Sequence, residues 1–265
     1  MMSEVINAGV RLHVEAEGVG EPVTVFAHGL TNSCRELAAF TPLVAGTKVR
    51  FCFRGHGHSD CPSSGYAFAN FASDLDLVAR SHGATCAVGT SLGAGAIMHL
   101  LEVDPSRFER MIFLLPASLD TPFERPQGLL ATADALETIS RAEAVESIMS
   151  DPGRAAAYAR EPWLRDVDLA LWRDMNPAGV ARAIRGIVGD CPISERESLR
   201  LVRAPVLIIC REGDRIHPAE LGRVLAELMP NAELLVFPDE VEMLAAAPML
   251  VQRAAEFLRA GEPVA

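Results

Sequence analysis

One short segment of the chain combines a possible nucleophile with the glycines that such a nucleophile requires. The run Gly89-Thr90-Ser91-Leu92-Gly93 fits the pattern G-x-S-x-G. A serine in this pattern lies on a sharp turn between a strand and a helix, where side chains at the glycine positions would collide with neighbouring backbone. The turn exposes the serine hydroxyl, and the start of the helix directs unpaired N–H groups toward an oxyanion formed there. The segment therefore predicts Ser91 as a catalytic residue.

The elements around Ser91 are predicted by a repeated pattern of short apolar runs, most of them followed by longer stretches with helical periodicity. The runs lie at 23–28, 48–53, 84–89, 110–116, 206–211 and 233–238. Strands this continuously apolar are covered on both faces, which is typical of a parallel sheet. Residues 5–18 instead alternate apolar and polar residues, as an antiparallel hairpin does. The sequence predicts an α/β fold, with a mostly parallel, twisted sheet flanked by helices.

The strand pattern is interrupted once, between about 119 and 199. This stretch is rich in helix-forming residues and is broken by prolines at 152, 162 and 177. We therefore expect a core formed by residues 1–118 and 200–265, with a helical cap or lid at 119–199.

Composition narrows the classes of partner. The formal net charge of −11 disfavours binding to nucleic acid or to an anionic membrane, because both favour clustered Lys and Arg. We find no apolar run long enough for a membrane span and no leader pattern, so a cytoplasmic protein is expected. The six cysteines show no metal-binding spacing, and no metal or cofactor is expected. The expected partner is a small-molecule substrate, and the sequence leaves the oligomeric state open.

Four motifs in order along the chain resemble those of the α/β-hydrolase fold superfamily, and the resemblance spans nearly the whole chain. The motifs are His28-Gly29-Leu30, Arg54-Gly55-His56-Gly57-His58-Ser59, the Ser91 turn, and Gly213-Asp214 with Ile216-His217-Pro218. The resemblance implies Ser91 as nucleophile and Asp214 as the acid of a catalytic triad. It also implies an oxyanion hole formed by the backbone N–H groups of Leu30 and Leu92.

The resemblance fails at the base of the triad. The superfamily places a histidine in the loop after the last strand, which corresponds here to Val241 or a position beside it. The sequence Asp239-Glu240-Val241-Glu242 contains no histidine, and none occurs after His217. Val241 is therefore expected to mark a vacant histidine position, in a loop before a final helix that begins near Leu244.

Several polar side chains are candidates to replace the missing base. His28 borders the expected oxyanion hole, His58 could face the mouth of the pocket, and His217 is three residues past Asp214 and could turn toward it. Glu240 and Glu242 flank the vacant position, and a desolvated carboxylate can act as a base.

Three functions remain open. The first, which the vacant position favours, is a hydrolase-like, cofactor-independent enzyme acting on a small, largely apolar metabolite. It would use Ser91 and the oxyanion hole for addition, elimination, cyclisation or enolate-type chemistry without a Ser-His relay. The second is an ester or amide hydrolase with a relocated base, and the third is a ligand-binding pseudoenzyme. An enzyme that loses one triad member keeps only roughly 10³–10⁴-fold catalysis over water. An efficient hydrolase therefore needs a substitute base, and this requirement favours the first function over the second.

Overall fold

The computed structural model describes residues 2–38, 40–123, 126–150 and 152–259. Eight strands in these residues form one sheet. The strands are β1 (Met2–Asn7), β2 (Val10–Glu17), β3 (Val23–Ala27), β4 (Thr47–Phe51), β5 (Cys86–Thr90), β6 (Arg110–Leu114), β7 (Val206–Arg211) and β8 (Ala232–Phe237).

The sheet is antiparallel at one edge and parallel elsewhere. Its strand order is β1-β2-β4-β3-β5-β6-β7-β8. Strand β2 pairs antiparallel with β1 and β4, and every other pairing is parallel. The first turn is formed by Ala8 and Gly9, whose φ angles of 49° and 82° suit a tight two-residue hairpin. Strand β3 is buried at every position, as expected for a central parallel strand.

Helices connect the strands. Those in the described residues are α1 (Phe68–His82), α2 (Leu92–Val103), α3 (Gln127–Leu136), α4 (Arg141–Met149), α5 (Pro152–Arg160), α6 (Trp163–Trp172), α7 (Pro177–Ile187), α8 (Ala219–Leu228), α9 (Glu240–Ala245) and α10 (Ala247–Phe257). Two short 3₁₀ turns occupy Thr41–Leu43 and Arg196–Leu201.

Apolar clusters cover both faces of the sheet. Helices α1, α2 and α8 pack on one face and α10 packs on the other. Consecutive residues of β5 show the alternation, because Ala87 belongs to the first cluster and Val88 to the second. The structure thus confirms the predicted α/β class, with a mostly parallel sheet flanked by helices.

Helices α3 to α7 all lie between β6 and β7, within the stretch for which the sequence predicts a helical cap. They share an apolar cluster that includes Trp172 and Ile184, and Leu30 packs against this cluster. Gly179 of α7 lies so close to the Gly55 turn that a Cβ there would approach the Gly55 carbonyl oxygen to 1.7 Å. These contacts pack the shared cluster against Leu30, in the loop after β3, and α7 against the turn at Gly55, after β4.

The chain after β8 differs from the loop that the sequence predicts. Helix α9 begins at Glu240, directly after Asp239, so the expected loop at Val241 is wrong, and the final helix, α10, begins at Ala247. The physical reason is an N-cap, since Asp239 Oδ1 accepts a hydrogen bond of 2.9 Å from the Glu242 N–H. Val241 consequently lies in the first turn of a helix.

Among the described residues, no helix has both the length and the apolar character needed to cross a bilayer.

Candidate active site

Ser91 occupies a strained turn between β5 and α2. Its φ of 48° and ψ of −104° place a non-glycine residue where L-amino acids are rarely found. The neighbouring glycines make the turn possible. A Cβ at Gly89 would lie 2.6 Å from the Ala94 nitrogen, and one at Gly93 would lie 2.1 Å from the Ala27 carbonyl oxygen. Both contacts are with backbone, so the two glycines are sterically required, as the sequence pattern predicts.

Two loops supply the backbone expected to form the oxyanion hole. Leu92 is the first residue of α2, and the first N–H groups of a helix have no partner within it. The loop after β3 approaches the serine closely, because a Cβ built on Gly29 would lie 3.7 Å from the Ser91 Cβ. Leu30, the next residue, is therefore close to Ser91, and its carbonyl oxygen lies 2.6 Å from His56 Nε2.

Glu36 holds this same loop in place. Its carboxylate accepts hydrogen bonds from the Gly29 N–H at 2.6 Å and from Asn32 Nδ2 at 2.7 Å. Burial raises the pKa of Glu36 to about 7, against the opposing effect of these two hydrogen bonds. Sequence patterns provide no reason to single out Glu36, because its role depends on how the loop folds back on itself.

His28 is fully engaged with backbone groups. Its Nδ1 lies 2.7 Å from the Gly29 carbonyl oxygen, and the Phe53 N–H donates to its Nε2 at 3.0 Å. The ring is buried, and this burial is the main reason that its pKa falls to about 3. The geometry gives His28 the role of bracing the loop and leaves neither ring nitrogen free for a substrate.

Asp214 lies in the loop after β7 and is held from several sides. Its Oδ1 accepts hydrogen bonds from the backbone N–H groups of Ile216 at 2.9 Å and His217 at 3.0 Å. Its Oδ2 lies 2.7 Å from a terminal guanidinium nitrogen of Arg211. Burial alone would raise the pKa of Asp214, but hydrogen bonds from His217 and the charge of Arg211 hold it well below its usual value. The side chain is therefore a carboxylate at neutral pH.

His217 connects this carboxylate to the serine. Its Nδ1 lies 3.1 Å from Asp214 Oδ2, and its Nε2 lies 3.1 Å from Ser91 Oγ. Because a carboxylate can only accept, Nδ1 carries the proton and Nε2 presents its lone pair to the serine hydroxyl. The three side chains form one hydrogen-bonded series from Ser91 through His217 to Asp214, which is the arrangement that a catalytic triad requires.

His217 lies in the loop between β7 and helix α8, which begins at Ala219, after Pro218. The two backbone hydrogen bonds to Asp214 turn the chain back on itself, as a short aspartate side chain often does. That turn directs the imidazole toward the carboxylate. The spacing Asp-x-x-His is the only sequence signal for it.

The side chains at Glu240, Glu242, His58 and Val241 have surroundings of their own. Glu240 is exposed and forms an ion pair of 2.9 Å with Arg211, and Glu242 is exposed on α9. The His58 side chain is 55% exposed, and its Nε2 lies 3.5 Å from Oδ2 of Asp174, a residue in the connection between α6 and α7. Val241 is half-buried and helps line a cavity of about 270 Å³ between α6 and α9. Among these four residues, the structure gives no hydrogen bond to Ser91.

A separate group of possible metal ligands lies on β2 and the loop after β3. Donor atoms of His13, Glu15 and Cys34 lie within 4.8 Å of one another. The Glu15 carboxylate already has a cationic partner, because an Arg50 guanidinium nitrogen lies 3.0 Å from its second oxygen. We therefore assign no metal to this group.

Comparison with known proteins agrees with the fold. The family model described as the Alpha/beta hydrolase family matches residues 24–260. A 2-(acetamidomethylene)succinate hydrolase from Mesorhizobium japonicum is 28% identical over 249 residues, covering 86% of this chain and 84% of that protein.

Solved structures show the same architecture. A hydrolase from Pseudomonas aeruginosa superposes with a TM-score of 0.81 at 19% identity, covering 98% of each chain. The enol-lactonase from Burkholderia xenovorans superposes with a TM-score of 0.81 at 18% identity, covering 97% of this chain and 99% of that one. At these identities the likeness concerns the fold alone.

The chain belongs to the α/β-hydrolase family. It is a hydrolase-family protein with an eight-stranded, mostly parallel sheet flanked by helices.

Proposed function

We propose that this protein is a serine hydrolase that cleaves an ester, lactone or amide bond of a small molecule, with Ser91, His217 and Asp214 as its catalytic triad. The observation that carries the proposal is the pair of 3.1 Å contacts of His217, one to Ser91 Oγ and one to Asp214 Oδ2. The sequence alone favours chemistry without a Ser-His relay. The geometry of His217 instead supports a hydrolase with a relocated base.

The roles of the three side chains follow from their positions. His217 Nε2 takes the Ser91 proton as Oγ attacks the substrate carbonyl carbon, and Asp214 stabilises the imidazolium that forms. The backbone N–H groups of Leu30 and Leu92 stabilise the oxyanion. His217 then gives the proton to the leaving group, and water releases the acyl group from Ser91 by the same steps. None of these steps requires a cofactor.

The chain order of the triad supports this assignment. In α/β-hydrolases the order is nucleophile, acid, base, and Ser91, Asp214 and His217 follow it. Only the spacing of acid and base is unusual, because His217 is three positions after Asp214 with two residues between them. A triad is defined by geometry and roles, so a short separation is compatible with full function.

Helices α3 to α7 are proposed to act as the lid over this triad. The apolar cluster that they share includes Leu30 among its contacts, so the lid and the expected oxyanion loop pack together. The relative from Mesorhizobium japonicum supports hydrolysis as the reaction class, with a small carboxylate-bearing molecule as its own substrate by name. For this chain we propose only a small carbonyl compound.

The proposal is tested with p-nitrophenyl acetate and butyrate on the wild-type protein, Ser91→Ala, His217→Ala and the control Val241→Ala. We expect kcat/KM to fall by about 10³-fold or more for Ser91→Ala and His217→Ala, since each removes an essential part of the relay. Val241→Ala should stay within about 3-fold of wild type, because no hydrogen bond joins Val241 to the triad.

A fluorophosphonate probe separates the possible failures. The probe should label wild type and Val241→Ala at similar rates. Labelling of Ser91→Ala and His217→Ala should be much slower than that of wild type. Full activity in His217→Ala together with an inactive Ser91→Ala would place the base elsewhere. Ester turnover that is unaffected by both substitutions would remove the triad assignment and return the proposal to chemistry without a relay.

A further inference from the structure

Arg211 stands at the outer side of the proposed triad. Its Nε lies 2.9 Å and a terminal nitrogen 2.7 Å from Asp214 Oδ2, so two of its nitrogens face one oxygen. Its other terminal nitrogen lies 2.9 Å from Glu240 Oε1. The guanidinium therefore bridges the acid in the loop after β7 to the first residue of α9.

We propose that Arg211, oriented by Glu240, is a positioning residue that fixes the Asp214 carboxylate and limits how strongly it stabilises protonated His217. This inference rests on the proposed triad and adds to it a residue to which neither the sequence motifs nor the comparisons assign a role.

Both oxygens of the Asp214 carboxylate are occupied by hydrogen-bond donors. Asp214 Oδ1 accepts from two backbone N–H groups, and Oδ2 is shared between Arg211 and His217 Nδ1. The Asp214 side chain is only 7% exposed, so water contributes little to its hydrogen bonding. Removing Arg211 would leave Oδ2 with the His217 N–H as its partner among these contacts, so the orientation of the His217 ring toward Ser91 would be less fixed.

Arg211 also has an electrostatic effect. Arg211 and a protonated His217 are two cations that share the same carboxylate oxygen, and like charges at this separation disfavour each other. Arg211 is 18% exposed, so solvent screens this repulsion only in part. The guanidinium is therefore placed to oppose a second positive charge beside this oxygen.

Glu240 carries the opposite charge to Arg211. As an anion paired with Arg211, it offsets part of the guanidinium charge that acts on Asp214. Its side chain is 53% exposed, so its effect should be smaller than that of Arg211 and opposite in sign.

The remaining charged groups near this loop form pairs of their own or face solvent. Glu212 and Glu220 both pair with Arg223 of α8, and Arg215 is exposed. None of these groups has an ion pair with Asp214 among the described residues. Arg211 is thus the cation best placed to act on the acid.

The test measures the pH dependence of kcat/KM for Arg211→Gln, Arg211→Lys and Glu240→Gln, with Val241→Ala as the control. The acidic limb of this profile reports protonation of the base in the free enzyme. Arg211→Gln should move the limb upward by about half to one pH unit and lower kcat by about 10-fold. Glu240→Gln should move it downward by a few tenths of a unit. Val241→Ala should not move it.

Arg211→Lys separates charge from geometry. A lysine keeps the positive charge but cannot place two nitrogens on Oδ2 in a fixed fork. The limb should therefore stay within about 0.3 pH unit of wild type, while kcat remains reduced. If Arg211 had a purely structural role, both Arg211 variants would lose activity at all pH values without moving the limb, and the electrostatic part of the inference would be wrong.

A second readout does not depend on turnover. In ¹H–¹³C NMR spectra, the His217 ring signal is identified by its absence in His217→Ala, and its titration midpoint is followed in the folded variants. It should move up in Arg211→Gln and down in Glu240→Gln. An unchanged midpoint in Arg211→Gln would overturn the inference even if the triad is active. The expected shift in an inactive protein would support the inference while refuting the proposed hydrolysis.

Discussion

The loops after the two neighbouring strands β7 and β8 make an instructive pair. The first carries Asp214 and His217, which together form the acid–base half of the proposed triad. The second is where the superfamily resemblance places the base, and it carries Val241 in the first turn of α9. The two strands pair in parallel along six residue pairs, so both loops leave the carboxyl ends of the strands side by side.

In the proposed triad, the base is specified by where its ring nitrogen lies and not by which loop supplies it. The four-residue turn from Asp214 to His217 is long enough for the imidazole to reach both the carboxylate and the serine. The second loop then has no catalytic requirement, and its Glu240 contacts the acid only through Arg211.

The largest effect should come from the first loop at Asp214→Asn. The substitution keeps the size of the side chain but removes the charge that stabilises protonated His217, and an amide can present N–H where Nδ1–H now donates. We expect kcat to fall by about 10⁴-fold, measured with p-nitrophenyl butyrate at neutral pH. Asp239→Asn in the second loop is the matched control and should stay within about 3-fold of wild type. Similar losses in both variants would contradict the contrast between the loops.

The second prediction moves the histidine from one loop to the other. In the double variant His217→Ala with Val241→His, we expect activity to stay within about 10-fold of His217→Ala alone. Position 241 lies in a helix, and Arg211 occupies the side of Asp214 that faces α9. The measurement is kcat/KM for both variants under the same conditions. Recovery to more than about one tenth of wild-type activity would show that the second loop still has the geometry for a base.

A smaller effect is expected from the third loop at this edge, after β3, where Glu36 holds the Gly29 N–H. With its pKa raised to about 7 by burial, folded Glu36 binds its proton more tightly than the unfolded chain does. Stability is therefore lost as pH rises from about 4.5 to about 7. In Glu36→Gln this loss is absent, so the Tm of the variant relative to wild type should rise by a few °C between about pH 5 and about pH 8.

Thermal unfolding at a series of pH values checks this prediction, with Glu240→Gln as a control carboxylate that is exposed. Asn32 can adapt to the amide, because its Oδ1 is buried without a partner among the described residues and could accept the new N–H. A Tm difference that is constant with pH would show that Glu36 stays ionised throughout.

Much of the fold and half of the site could be predicted from the sequence. The buried apolar runs specify parallel strands, and the glycines at 89 and 93 specify the turn at Ser91, because both signals are local consequences of sterics and burial. The direction of the His217 side chain does not follow from local sterics or from burial. It depends on two backbone hydrogen bonds to Asp214, whose cumulative effect appears only when the loop is folded.

The expected loop at 239–242 is wrong for a related reason. In the sequence Asp239 is one of several acidic residues near a vacant position, whereas in the structure its carboxylate caps a helix that begins one residue later. Arg211 is part of an apolar strand run and carries no signal at all. Its importance arises from contacts with residues 3 and 29 positions further along the chain.

The three-residue distance between Asp214 and His217 also has a consequence for motion. Strand β8 is an edge strand in which none of the six residues is fully buried, and it is the kind of element whose amides exchange with solvent through local fraying. In a protein whose base followed that strand, each fraying event would separate base from acid. Here the proposed acid and base both belong to one short turn that follows β7, so fraying of β8 leaves the backbone that carries them in place.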